Sequence, residues 1–177
     1  MLRGFLFWIL FSHALSGQNI QFFQTSINGD LREWNFLDDQ EEYLGNLRAR
    51  WPYEKLPTQW DLRLGERSGT IQLRWPNQPH DWEIRLHNDF IMAQPVWPRQ
   101  LDTWRLQFKD KIYTFSLDYD PEGSLWKLST DDIDLFVIYN TYLYSYSDWT
   151  LDYFSDVDEP ILVAAVCYLA AVYSNFR

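Results

Sequence analysis

From Asn19 onward, apolar side chains recur at every second position, as in Trp60, Leu62, Leu64; Ile71, Leu73, Trp75; and Trp82, Ile84, Leu86. A period of two sends alternate side chains to opposite faces of an extended chain, so it predicts strands with one buried face. The pattern continues through Trp104, Leu106, Phe108; Tyr113, Phe115, Leu117; Trp126, Leu128; Phe136, Ile138; Tyr142, Tyr144, Tyr146; and Trp149, Leu151, Tyr153. Weaker runs cover 19–25, 31–37, 43–50 and 89–96, for about twelve strands in all. Turn chemistry at Asn28-Gly29, Gly65 to Gly69, Asn77 to Pro79, Asn88-Asp89, Asp110 and Asp120 to Gly123 separates them. Links this short cannot hold crossover helices, which makes the order an antiparallel meander. The Pro-bearing stretches Trp51 to Pro57 and Pro95 to Pro98 read as loops or edge breaks. No Gly- or Ser-rich linker divides the chain, and no fixed-period repeat stands out beyond the generic hairpin.

The end of the chain changes character. Pro160 is followed by an unbroken apolar run, Ile161 to Tyr173, rich in Ala, with Asp156, Asp158 and Glu159 just before it. Proline at the first helical position and carboxylates ahead of it favour the start of a helix. At ~1.5 Å per residue the run reaches only about 20 Å, short of a hydrocarbon core. A helix apolar all round requires burial in protein. A closed sheet of about twelve strands is too wide for its own side chains to fill. The two requirements meet in one architecture: an all-β closed antiparallel barrel around a buried hydrophobic C-terminal helix at 160–173. Ala164, Ala165, Ala170 and Ala171 allow close approach to inward-facing aromatics, with Cys167 and Tyr168 as packing residues.

Composition supports a folded chain. Of 177 residues, 46% are apolar and 19% aromatic, while 15 basic against 25 acidic side chains give a net charge of −10. Acidic disordered chains lack such aromatic content. A nucleic-acid partner is not expected, since phosphate backbones are held by clustered Lys and Arg. Residues 1–17 carry Arg3, the apolar run Phe5 to Phe11 and the small residues Ala14 to Gly17, the grammar of a signal peptide cleaved after Ser16 or Gly17. One barrel domain over 18–177 would remain, exported to a periplasmic or extracellular setting and without a transmembrane segment. A single cysteine, Cys167, excludes an internal disulfide. His80 and His87 read as separate exposed side chains rather than a zinc pair.

Three stretches carry a resemblance. They are Gly69-Thr70-Ile71-Gln72-Leu73-Arg74-Trp75 with Trp82-Glu83-Ile84-Arg85; Thr103-Trp104-Arg105-Leu106 leading to Tyr113-Thr114-Phe115; and Asp148 to Phe154, then Asp156, Asp158 and the Ala-rich run. Together they resemble the tubby C-terminal-like superfamily, which includes phospholipid scramblases and plant LURP-one-related proteins. The resemblance implies a twelve-stranded barrel around a hydrophobic C-terminal helix. It also implies a calcium site, because Asp148, Asp152, Asp156 and Asp158 are similar to the scramblase segment proposed to bind that ion. The basic residues through which tubby domains hold phosphoinositides have no counterpart cluster here, so phosphoinositide binding is not expected.

No cofactor is called for, and no catalytic set emerges. Cys167 lies in a run that should be inaccessible, and neither a nucleophile elbow nor a phosphate-cradling loop occurs. The aromatic stretch Tyr139, Tyr142, Tyr144, Tyr146, Trp149 invites a carbohydrate- or protein-binding reading, although alternation also accounts for the Tyr row as one strand face. The expectation is an exported, non-catalytic binding or structural module that recognises a protein or envelope partner through its outer surface, its acidic face favouring basic surfaces on that partner. The alternatives are a carrier of lipid or small hydrophobic ligands, a scramblase-like calcium-dependent lipid interaction, and a hydrolase.

Overall fold

A computed structural model describes residues 19–27, 29–51, 57–120 and 123–175; residues 1–17, expected to form a signal peptide, and most of the Trp51 to Pro57 stretch lie outside the described residues. The chain forms β1 (Phe22–Thr25), β2 (Glu33–Leu37), β3 (Tyr43–Ala49), β4 (Gln59–Leu64), β5 (Arg67–Leu73), β6 (Trp82–Leu86), β7 (Asp89–Trp97), β8 (Gln100–Phe108), β9 (Lys111–Asp120), β10 (Gly123–Thr130), β11 (Ile133–Asn140), β12 (Asp148–Tyr153) and α1 (Pro160–Asn175). Each strand pairs with its neighbour in sequence, and β1 pairs with β12 through Phe22 opposite Thr150 and Phe23 opposite Trp149. The sheet therefore closes into an antiparallel barrel with no free edge.

Most inward positions expected from the alternation are buried, from Trp60, Leu62 and Leu64 to Trp149 and Leu151, while Leu73 and Leu117 are half-buried and Trp75 is exposed. Between them the outward positions Asp61, Arg63, Arg85 and Arg105 are exposed. An apolar interior within a charged wall is the inverse of a transmembrane barrel. Among the described residues no helix is long and apolar enough to cross a membrane.

Helix α1 fills the lumen. Pro160 opens it, the Glu159 carbonyl accepts from the amides of Leu162 and Val163 at 2.9 and 3.4 Å, and Ile161 to Tyr173 are buried on every face. Tyr168 meets Trp82 edge-on at 5.0 Å between ring centres, and Tyr173 lies 4.4 Å from Trp104. Stacked pairs thicken the wall elsewhere, Phe23 on Trp34 at 4.6 Å and Phe115 on Trp126 at 4.9 Å. Such pairs hold geometry as well as burying area.

The barrel does have a fixed period, contrary to the sequence reading. Trp60, Trp82, Trp104 and Trp126 recur every 22 residues, each on an even-numbered strand. Five residues after each comes a two-residue turn whose first residue is left-handed: Gly65 (φ 58), His87 (φ 55), Lys109 (φ 54) and Asp131 (φ 49). Positive φ matches the twist of tight hairpins and is cheap for Gly but strained for the others. Because only Gly65 advertises it by residue type, the sequence hides the repeat, and the turn expected at Asn88-Asp89 sits one residue earlier.

Two further expectations are corrected. Tyr142, Tyr144 and Tyr146 do not lie on a strand. They occupy the β11–β12 loop, with Tyr144 at φ 62, because β12 begins only at Asp148, where the pairing with β1 also begins. Pro95 is not in a loop but within β7, where a register shift between Pro95 and Trp97 accommodates its missing N–H.

Candidate functional site

In a meander, alternate links emerge at opposite ends of the barrel, and here the two ends differ in chemistry. Links that follow even strands carry Asp38, Asp39, Glu41, Glu42, Glu66, Asp110, Asp131, Asp132, Asp156, Asp158 and Glu159, with Lys109 as a lone cation among the described residues of those links. Among the described residues, links that follow odd strands carry Arg32, Arg50, Arg74 and Arg99 against Asp30 and Asp81. Exposed on or beside these second links stand Ile27, Trp51, Trp75, Trp97, Tyr142, Leu143, Tyr144 and Tyr146, and Tyr144 reaches 85% exposure. Exposed apolar side chains at the acidic end, such as Tyr43, Ile133 and Phe154, have carboxylates one or two positions away in the chain. The Tyr142 to Tyr144 group has none.

The aromatic end is built on the C-terminal turn of α1. The buried indole N–H groups of Trp34, Trp60, Trp104 and Trp149 each donate to a carbonyl three residues upstream, at 2.8–3.1 Å, so Trp34, Trp60 and Trp149 pin their links to the barrel rim and Trp104 ties down the start of β8. Trp82 and Trp126 instead donate to the helix, to Tyr173 Oη at 2.8 Å and Ser174 Oγ at 2.9 Å. His80 Nδ1 lies 3.0 Å from the same Tyr173 oxygen. His80 is thus half-buried, not exposed as its isolation in the sequence suggested, and burial holds its pKa below the ordinary histidine value.

Beside this network is a cavity of about 380 Å³, lined by Asn77, Gln78, Pro79, His80 and Asp81 from the β5–β6 link, with Gln94, Pro95 and Pro98 from the β7–β8 corner. Its volume lies in the range of small-molecule sites. A second cavity of about 280 Å³ is lined by Asp30, Arg32, Glu33, Arg48, Arg50 and Asp61, whose charges pair with one another in Arg32–Asp30, Arg48–Glu33 and Arg50–Asp61.

The carboxylates of the implied calcium site do not gather. Asp148 opens β12 at the aromatic end, where it accepts from Ser145 Oγ at 3.2 Å. Asp152 lies four residues along the strand, ~13 Å away, and accepts from Tyr139 Oη at 3.0 Å. Asp156 and Asp158 follow at the opposite end. Among the described residues no group of three or more His, Cys, Asp or Glu could hold a metal ion. Cys167 is fully buried and its thiol is pushed up by that burial, which removes its nucleophilic form.

Comparison with family models, with curated proteins and with solved structures found no match. The functional reading therefore rests on the two ends.

Sequence reasoning placed Tyr142, Tyr144 and Tyr146 among the candidates but missed Trp75, Trp97, His80 and Asp81. Trp75 in particular was expected on an inward face with Ile71 and Leu73, yet β5 ends at Leu73 and leaves it 51% exposed. A partial signal was present: sorting the links into odd and even sets concentrates the carboxylates in one set and the Tyr142 to Tyr146 row, Trp51 and Trp75 in the other.

Proposed function

We propose that the chain is an exported, non-catalytic binding module of the tubby/LURP-one-like type that engages a cell-envelope partner through the aromatic end of its barrel. The observation that carries this reading is the placement of exposed Trp75, Trp97, Tyr142, Leu143 and Tyr144 on or beside links at one end. Large aromatic side chains with a polar tip are costly to leave in water and are the common anchors of recognition surfaces. The filled lumen argues against the carrier alternative, because α1 occupies the space a hydrophobic ligand would take. The architecture is the one the tubby resemblance implies, but a fold hosts many roles, so the site and not the fold carries the proposal.

The test is sedimentation of the full chain with envelope material from the source organism. A variant combining Trp75→Ser, Trp97→Ser and Tyr144→Ser should melt like the wild type and lose co-sedimentation. A variant combining Asp131→Asn, Asp132→Asn, Asp156→Asn and Asp158→Asn should retain it. The reverse pattern, or wild-type binding by both, overturns the proposal.

A further inference from the structure

We infer that the cavity beside Tyr173 is a binding site for an uncharged sugar residue of a glycan chain; the inference deepens the proposed aromatic-end recognition and rests on it. The lining offers Asn77, Gln78 and Gln94, whose carboxamides each present both donors and acceptors, as a ring of hydroxyl groups also does. Asp81 is 9% exposed, lines the cavity, and its carboxylate is engaged by no ion pair or side-chain hydrogen bond among the described residues. Its carboxylate oxygens open onto the cavity rather than being sealed in the core, and two neighbouring hydroxyls suit those two acceptors.

His80 supplies the matching donor. Tyr173 Oη accepts from Trp82 Nε1–H, and in the tautomer where it donates its own hydrogen to His80 Nδ1 the imidazole proton sits on Nε2. Burial favours this neutral form. Lys and Arg are both absent from the described lining, which leaves a phosphate or carboxylate ligand without a counter-charge, while a purely apolar ligand would leave the carboxamides and Asp81 unpaired. Pro79, Pro95 and Pro98 give the cavity apolar surface for C–H faces, and Trp75 and Trp97, which flank the two lining segments in the chain, offer exposed rings to adjoining sugars.

Native electrophoresis of the full chain through gels containing neutral polysaccharides (β-glucan, α-glucan, xylan or mannan) tests the inference, with a polyanionic and a polyamine polysaccharide as controls. At least one neutral polymer should retard the wild type, and Asn77→Ala, Gln94→Ala and Trp97→Ala should each weaken that retardation at least tenfold while melting normally. Retardation by none of the neutral polymers, retardation only by a charged polymer and abolished by salt, or unchanged retardation of all three variants overturns it. Periodate-oxidised envelope separates this inference from the reading beneath it. If oxidised envelope still binds the wild type but not the aromatic-end variant, the partner is a protein and only the sugar assignment falls; if the aromatic-end variant binds untreated envelope like the wild type, both fall.

Discussion

The two ends of the barrel are closed by the same strands and the same helix, yet they are held differently. At the acidic end, α1 is met by an exposed ion pair, Lys109 Nζ to Glu159 Oε1 at 2.7 Å, with Lys109 57% exposed at its side chain. At the aromatic end, α1 is locked by buried hydrogen bonds from Trp82 and Trp126, with His80 on the outer side of Tyr173. At the first end β4–β5, β6–β7, β8–β9 and β10–β11 turn in two residues, whereas at the second the β1–β2, β3–β4, β5–β6 and β11–β12 links are longer, and that end carries the exposed aromatics and the cavity. The difference teaches where each task sits: the acidic end turns the chain and keeps the surface charged, and the aromatic end anchors the helix while presenting a rigidly supported surface. Rigid support under a loop is what a recognition site needs.

The largest effect should come from breaking what separates the ends. Ala165→Glu places a carboxylate at the fully buried middle of α1, where nothing can pair with it, and should abolish soluble folded protein. Tyr144→Glu, at the exposed aromatic rim, should express and melt normally, as circular dichroism would show. Next in size is Tyr173→Phe, which leaves Trp82 Nε1–H and His80 Nδ1 without their shared partner. A loss of about 1–3 kcal/mol in urea unfolding is expected, the cost of leaving a buried polar group unsatisfied.

A smaller effect concerns pH. Burial lowers the His80 pKa below 6.5, so the unfolded chain takes up a proton where the folded chain does not. The contribution of neutral His80 to stability is complete above the unfolded value and declines as pH falls through it. His80→Gln should flatten the decline of stability that sets in as pH falls below the ordinary histidine value; an unchanged slope would place His80 in solvent. The smallest effects belong to the acidic end. Lys109→Ala removes an exposed pair and should leave the melting transition within error of the wild type. Calcium at millimolar concentration should not raise it, because Asp148 and Asp152 are spread along β12 while Asp156 and Asp158 lie beyond it.

Much of this was legible in the sequence. Alternation at Trp60-Leu62-Leu64 or Trp82-Ile84-Leu86 is dictated by one buried face, and the all-round apolar run after Pro160 had only the lumen to enter. The site was less legible because it depends on where links meet in space. Tyr142, Tyr144 and Tyr146 alternate like a strand but lack a partner to pair with, and Trp75 continues an alternation whose ladder has already stopped. His80 looked isolated because its partner, Tyr173, is brought to it by the helix from the far end of the chain. Gly69 shows the same dependence. A Cβ there would lie 1.9 Å from the Arg85 carbonyl oxygen, a close strand approach that no local pattern announces.

The central claim is that the partner meets the aromatic end. Hydroxyl-radical footprinting of the full chain, free and bound to envelope material, reads this residue by residue. Protection on binding should fall on Trp75, Trp97, Tyr142 and Tyr144, with Tyr43, Ile133 and Phe154 at the acidic end oxidised equally in both states. Protection of Tyr43, Ile133 and Phe154, with the aromatic end unchanged, would contradict the account.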